Sequence, residues 1–250
     1  MTPFSYSFEK LSDAISVCVT PEHKFGTDAF LLADFAQIRR KDIVCDLGTG
    51  CGIIPLILTK TSGPKQIYGV DIQPQAIAQL QIAIERSKLT HIIPICKDLK
   101  ELTEIPAGSL DAVTCNPPYK AGNTGILSKL PAEQIARHEV MCTIDDICQK
   151  AASLLKFGGK LCICQRPERL ADVISAMRAA KIEPKRLRFV AKTEKDAPWL
   201  FLIEGKKGAK PFLQVLPTLP VYEGEEFSQE MRRIYAWDTS QNGESRSMLR

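Results

Sequence analysis

The segment of this chain best suited to chemistry is Asn116-Pro117-Pro118-Tyr119. Two consecutive prolines fix the backbone and so aim the Asn116 side chain and the Pro117 carbonyl. Both present an oxygen acceptor, and two acceptors match the two N–H bonds of an NH2 group on a planar substrate. Tyr119 follows with a ring that can stack on the substrate face. In isolation these four residues would read as a proline-stiffened loop with an Asx turn at Asn116.

A second motif, Asp46-Leu47-Gly48-Thr49-Gly50-Cys51-Gly52, supplies the companion site. Glycines allow a tight turn and a close backbone approach to a ligand. Their spacing is G-x-G-x-G, not the G-x-G-x-x-G of dinucleotide-binding loops. A pyrophosphate wants a free helix N-terminus, whereas Asp46 ahead of the turn suits a cation such as an amino acid's amino group. Asp71, with Ile72 beside it, comes about twenty residues after the loop, where an acid can hold ribose hydroxyls. Asp98 stands where such folds read an adenine edge. Each has a plainer reading alone: an ordinary turn at the loop, a helix cap at Asp71, a solvated turn at Asp98. Together they describe a pocket for a ligand with an amino acid end, a ribose and an adenine. S-adenosylmethionine fits that description better than NAD.

The elements that must position these residues are legible as strands and helices in alternation. Residues 43–47, 66–71, 92–96, 110–115 and 161–164 are short apolar runs bounded by breakers, the pattern of buried strands. Helices are expected at 28–38, 52–60, 74–88 (Ile77, Leu80 and Ile84 on one face) and 168–181. Another follows Thr143, which pairs with Asp146 as a cap, and stops at Gly158-Gly159. Strands 186–191 and 199–204, joined by a polar loop too short for a helix, should form an antiparallel hairpin. The sum is an α/β fold with a seven-stranded, mostly parallel sheet ending in that hairpin. Residues 1–237 read as one domain with a short extension (1–40), and 238–250 as a disordered tail.

Composition agrees. The chain has 250 residues, 44% hydrophobic and 25% charged, which excludes a disordered protein, a collagen-like fibre and a coiled coil. Its longest apolar run is far too short for a membrane span, and the first residues lack a signal peptide's apolar core. The nine cysteines are irregularly spaced, and Cys45, Cys96, Cys115, Cys162 and Cys164 sit in apolar stretches. They read as reduced core residues of a cytoplasmic protein. Cys162-x-Cys164 lacks a second ligand pair with zinc-type spacing, so no metal is expected. A net charge of +4 permits a nucleic acid partner without requiring one.

With these residues in view, the chain resembles the class I S-adenosylmethionine-dependent methyltransferases that act on amide or exocyclic amine nitrogens, a Rossmann-like fold. The likeness covers about residues 24 to 205. Within that class, Lys24-Phe25-Gly26-Thr27-Asp28-Ala29-Phe30-Leu31-Leu32, Arg137-His138-Glu139 and Glu230-Met231-Arg232-Arg233-Ile234-Tyr235 resemble the bacterial enzymes that methylate an adenosine N6 beside the anticodon of valine tRNA. With about 45 residues ahead of the glycine loop, the longer N-terminal helical domain usual in release-factor enzymes and the large target-recognition domain usual in DNA enzymes are not expected. The resemblance implies that Asp46, Gly48, Gly50, Asp71, Ile72 and Asp98 bind the cofactor. Asn116, Pro117 and Tyr119 would hold the target adenine, with Asn116 also touching the cofactor. Lys24 and Thr27 would line the cofactor site or its entrance. The partner expected is tRNA, met by a monomer away from any membrane.

Basic residues Lys181, Lys185, Arg186, Arg188, Lys192, Lys195, Lys206, Lys207 and Lys210 cluster around the final hairpin and are candidates for phosphate contacts; edge-strand lysines that prevent aggregation are the plainer reading. Rival functions are the same chemistry on a protein glutamine or an rRNA base, and an inactive RNA-binding scaffold. A nicotinamide oxidoreductase is disfavoured by the glycine spacing.

Overall fold

The computed structural model describes residues 4–21, 25–117 and 142–235. Twelve strands and six α-helices lie within these residues. The central sheet is built from β3 (Ile43–Leu47), β4 (Gln66–Asp71), β5 (Ile92–Cys96), β6 (Leu110–Cys115), β7 (Leu155–Gln165), β8 (Ile182–Ala191), β9 (Pro198–Lys207) and β10 (Gln214–Pro220). Its order is β10-β8-β9-β7-β6-β3-β4-β5, and only β9 runs against its neighbours. The chain builds outward from β3 to β5, then crosses back to place β6 on the other side of β3. Ligands of open α/β sheets bind at such a switch point, beyond the carboxyl ends of the strands.

Helices α1 (Thr27–Ala36), α2 (Ile53–Thr61) and α3 (Pro74–Arg86) cover one face, and α4 (Ile144–Leu154) and α5 (Leu170–Ala179) the other. Helix α4 starts on the expected box: Asp146 N–H donates to Thr143 Oγ1 (3.2 Å) and Thr143 N–H to Asp146 Oδ2 (2.9 Å). It does not run to Gly158-Gly159. It ends at Leu154 and β7 begins at once, so both glycines lie in the strand. The register with β6 slips there, between Leu110 and Ala112, and Gly158 has φ +78°. Glycine marked a bulge and not a helix stop.

The sheet has eight strands where seven were expected. The extra one, β10, is Gln-Val-Leu-Pro-Thr-Leu-Pro, largely exposed and irregular between Leu216 and Leu219. Its prolines disguise it, and an edge position tolerates them. Three small elements were also unforeseen. The hairpin β1 (Ser7–Lys10) and β2 (Ser16–Val19) lies on α3, where buried Gln79 donates to the Cys18 carbonyl (3.0 Å); Ile77, expected inside, is only half-buried. Strands β11 (Tyr222–Glu223) and β12 (Glu226–Phe227) form a tight ribbon. Helix α6 (Gln229–Tyr235) then docks on α1. Arg233 grips Asp34 with two bonds (2.7 and 2.9 Å), and Arg188 of β8 grips Glu230 likewise (2.6 and 2.7 Å). Such bidentate pairs fix orientation as well as charge.

Gly52 opens α2 at φ +82°, and a Cβ there would overlap the Leu80 side chain of α3. Gly52→Ala should therefore destabilise the fold by about 1–3 kcal/mol through strain and overpacking. Urea denaturation checks this.

Candidate active site

Asp46, Asp71, Asp98 and Asn116 stand at or just beyond the carboxyl ends of β3, β4, β5 and β6. These are four consecutive parallel strands in the sheet, about 4.8 Å apart. The glycine loop crosses above them. Gly48 and Thr49 N–H both donate to the Val70 carbonyl (2.9 Å each), and Gly50 N–H donates to Asp71 Oδ2 (2.8 Å). Gly48 and Gly50 hold φ of +73° and +54°, and no atom lies within 4 Å of where their Cβ would be. They need glycine for conformation, and they leave a cradle open above the backbone.

Asp71 is buried and acts first as a clamp. Its second oxygen, Oδ1, accepts from Gln73 N–H (2.9 Å). A carboxylate has about four acceptor sites, so hydroxyl donors can still be received. Ile72 beside it is exposed, an apolar surface at the cradle's edge. Asp98 caps the short 3-10 turn Leu99–Glu101 by accepting from Lys100 N–H (2.9 Å).

Asp46 is fully enclosed. Oδ1 accepts from the Thr114 hydroxyl (2.6 Å), but among the described residues Oδ2 has no hydrogen-bond partner, and neither has the Thr49 hydroxyl. Burial lifts this carboxyl from 3.8 to about 7, against the Thr114 and nearby Thr49 hydroxyls and aided by the charge of Asp71. An unsatisfied buried acceptor costs about 1–3 kcal/mol. The enclosed carboxyl, with the Thr114 and Thr49 hydroxyls against it, and the open cradle at Gly48 and Gly50 together fit a ligand that brings a cation to this end of the site.

Asn116 is pinned from two sides. Its Nδ2 donates to Asp28 Oδ2 (3.1 Å), and its Oδ1 receives the Cys164 thiol (3.1 Å). Asp28 accepts only, so it decides which end of the amide carries the oxygen. The residues lie 88 and 48 positions from Asn116. Asp28 belongs to the segment that drew attention in the sequence, but nothing local indicated its partner. Period-2 alternation in β7 did not reveal which face Cys164 takes.

Thr27 donates to or accepts from Tyr235 of α6 (2.9 Å) and lines a cavity of about 400 Å³ with Lys192, Trp199, Val221 and Tyr222. Pro117 is half-buried next to Asn116. Lys24, Tyr119 and Arg137-His138-Glu139 lie outside the described residues. All nine cysteines are free, with Cys96 exposed instead of buried. No helix among the described residues is long and apolar enough to cross a membrane.

The basic cluster divides. Arg186 is half-buried against Glu204 (2.6 Å) and the Phe35 ring, and Arg188 is held by Glu230. Lys207 donates to the Leu155 carbonyl (2.8 Å) and Lys185 to that of Lys210 (3.2 Å). Because β9 runs backwards, Lys206 and Lys207 sit at the amino end of the parallel strands, opposite the site. At 3.3 Å per residue they are roughly 23 Å from Trp199. Lys192 is at the site end.

The sequence model of the methyltransferase small domain family matches residues 22–182. The tRNA1(Val) (adenine(37)-N6)-methyltransferase of Yersinia pseudotuberculosis serotype O:3 is 31% identical over 142 residues, 56% of this chain and 56% of that protein. The chain thus spans about half the length of the curated relatives it matches. Among solved structures, a predicted O-methyltransferase from Agrobacterium tumefaciens superposes with TM-score 0.68 at 16% identity, covering 83% of this chain and 95% of its own. M. jannaschii TYW2 in complex with AdoMet gives 0.57 at 14%, covering 82% and 87%. At these identities the likeness shows the fold, a class I methyltransferase sheet.

Proposed function

We propose, for a chain that belongs to the methyltransferase small domain family, that it methylates the exocyclic N6 amine of an adenosine in tRNA, in the anticodon loop of valine tRNA. The observation that carries this reading is the Asn116 amide, fixed at the carboxyl end of β6 by Asp28 and Cys164, one strand away from the glycine loop that follows β3. The named relatives act on that amine in that tRNA. Nine free cysteines suit the reducing cytoplasm where tRNA is modified.

S-adenosylmethionine is the cofactor, and when bound it supplies a methyl activated on a sulfonium. Gly48, Gly50, Ile72 and Asp98 would line its site, Asp71 would meet the ribose, and Asp46 the amino acid end. The amine needs activation, because its lone pair is delocalised into the ring. Asn116 Oδ1 and the Pro117 carbonyl would accept its two N–H bonds, favour a tetrahedral nitrogen and stabilise the positive charge that develops there. Holding the amine near 3 Å of its target is the other large contribution. No strong base is required, because the methylated ammonium loses its proton readily. A base leaves its stack at least cost from an unpaired loop, which favours an anticodon loop.

Tritiated methyl transfer into bulk unmodified bacterial tRNA, with nucleoside analysis, tests the reading. Label in N6-methyladenosine supports it. Label only in protein or rRNA discards the substrate, and no label at all returns the chain to a scaffold role.

Asp28 is a positioning residue here. Asp28→Asn should lower kcat about ten-fold, the worth of one hydrogen bond, because an amide no longer dictates the orientation of Asn116. S-adenosylhomocysteine affinity and substrate KM should hold, and Asp28→Glu should recover part of kcat. A loss confined to thermal stability would assign Asp28 to the fold alone.

A further inference from the structure

We infer that the cavity bounded by Trp199, Tyr222 and Lys192 is a stacking subsite for an unpaired RNA base next to the one methylated; this rests on the RNA reading above. The cavity, about 400 Å³, falls within the range of small-ligand sites, ~300–1,000 Å³. Thr27 lines it, and the next residue, Asp28, holds Asn116. The subsite therefore adjoins the place where the target amine would be gripped.

Its walls are rigid. Tyr222 N–H donates to the Lys192 carbonyl and Val221 N–H to that of Ala191, both 2.9 Å, which ties β10–β11 to the end of β8. Tyr222 stacks on Phe227 (5.1 Å between centroids, 14° between planes), and Phe227 leans on Tyr235. Across the cavity Trp199 is the second residue of β9, with the Arg166 guanidinium 5.6 Å from its ring and donating to its carbonyl (3.1 Å). Two fixed, half-buried aromatic side chains with an exposed lysine at the rim form a stacking platform with a phosphate contact, the combination by which single-stranded nucleic acid is held. Trp199 and Tyr222 each pack partly on the core, and each also borders the cavity. The lysines at the far end of the sheet take no part.

The test uses the full chain and an RNA stem–loop with unpaired adenosines, followed by methyl transfer and by anisotropy. Trp199→Leu and Tyr222→Leu should each raise KM for RNA roughly ten-fold, the order of one lost stack, with kcat and S-adenosylhomocysteine affinity held. An abasic nucleotide beside the target should cost the parent chain about ten-fold more than it costs Trp199→Leu or Tyr222→Leu, each of which has already lost one of the two stacks. Lys192→Ala, on an exposed side chain that cannot disturb folding, should flatten the salt dependence of binding by about one phosphate contact, while Lys206→Ala leaves it unchanged. If the parent methylates the RNA and these variants keep its KM and salt slope, or if the abasic cost is equal in parent and Trp199→Leu, the subsite is refuted. A parent chain that neither binds nor methylates RNA refutes the RNA reading and the subsite with it.

Discussion

Asn116→Ala is expected to reduce kcat by roughly 10²–10³-fold, the loss seen when one preorganised group at a developing charge is removed. S-adenosylhomocysteine should bind with little change, because the glycine loop and Asp71 remain tied to each other and to β4. The expectation rests on geometry. Asp28 and Cys164 hold the amide from both ends before any substrate arrives, so its oxygen is oriented at no cost during the reaction. Alanine leaves nothing in its place, and the Pro117 carbonyl alone cannot hold both N–H bonds of the amine. Asn116→Asp sharpens the test. A carboxylate would stand about 3 Å from that of Asp28, and two such groups do not both ionise readily. The variant should be inactive at neutral pH for lack of a fixed acceptor orientation, although it matches asparagine in shape. Steady-state kinetics against calorimetry of cofactor binding separates the two effects. An Ala variant that turns over normally would end this mechanism.

Much of the scaffold was legible because buried parallel strands are short and apolar on both faces. Strands 43–47, 66–71, 92–96 and 110–115 stand where their sequences put them. The candidate acids could be placed together for a related reason: Asp46, Asp71 and Asp98 stand within two residues of the ends of β3, β4 and β5, and topology brings those strand ends together. What stayed hidden was long-range. Gln79 looks like a solvent residue of α3, yet it is buried because the N-terminal hairpin covers it and offers the Cys18 carbonyl. Strand β10 carries two prolines and few buried side chains, so neither period nor propensity marked it. The arginines of β8 counted as free cations until Glu204 and Glu230 were found beside them. Local periodicity records which side of an element is apolar; it does not record which partner arrives there. The same limit hid Asp28 and Cys164, the two groups that orient Asn116.

Asp46 yields the second large effect, one of sign as much as size. Its carboxyl titrates near 7 in the folded chain, raised by burial from 3.8. The folded state therefore holds this proton more tightly than the unfolded one. The contribution of Asp46 to stability is whole below about pH 4 and is lost as pH rises toward 7, at about 1.4 kcal/mol per pH unit. Asp46→Asn removes the titration. Relative to the parent, the variant should gain about 2–3 kcal/mol between pH 5 and 7 by denaturant unfolding, an upper figure because the enclosed carboxyl can relax. The absolute difference at one pH is a weaker guide, since the new amide brings its own N–H bonds to be satisfied. A parent and variant with parallel pH profiles would show that Asp46 is not the titrating group. Ligand binding should move in the opposite sense. A cation bound near this carboxyl favours the carboxylate, so S-adenosylhomocysteine, which carries the amino acid end, should release about one proton on binding near pH 6. Calorimetry in two buffers of different ionisation enthalpy reads that release, and Asp46→Asn should abolish it while weakening affinity. Asp46 thus destabilises the chain at neutral pH, and a cationic ligand in the adjoining cradle would offset that cost by favouring the carboxylate.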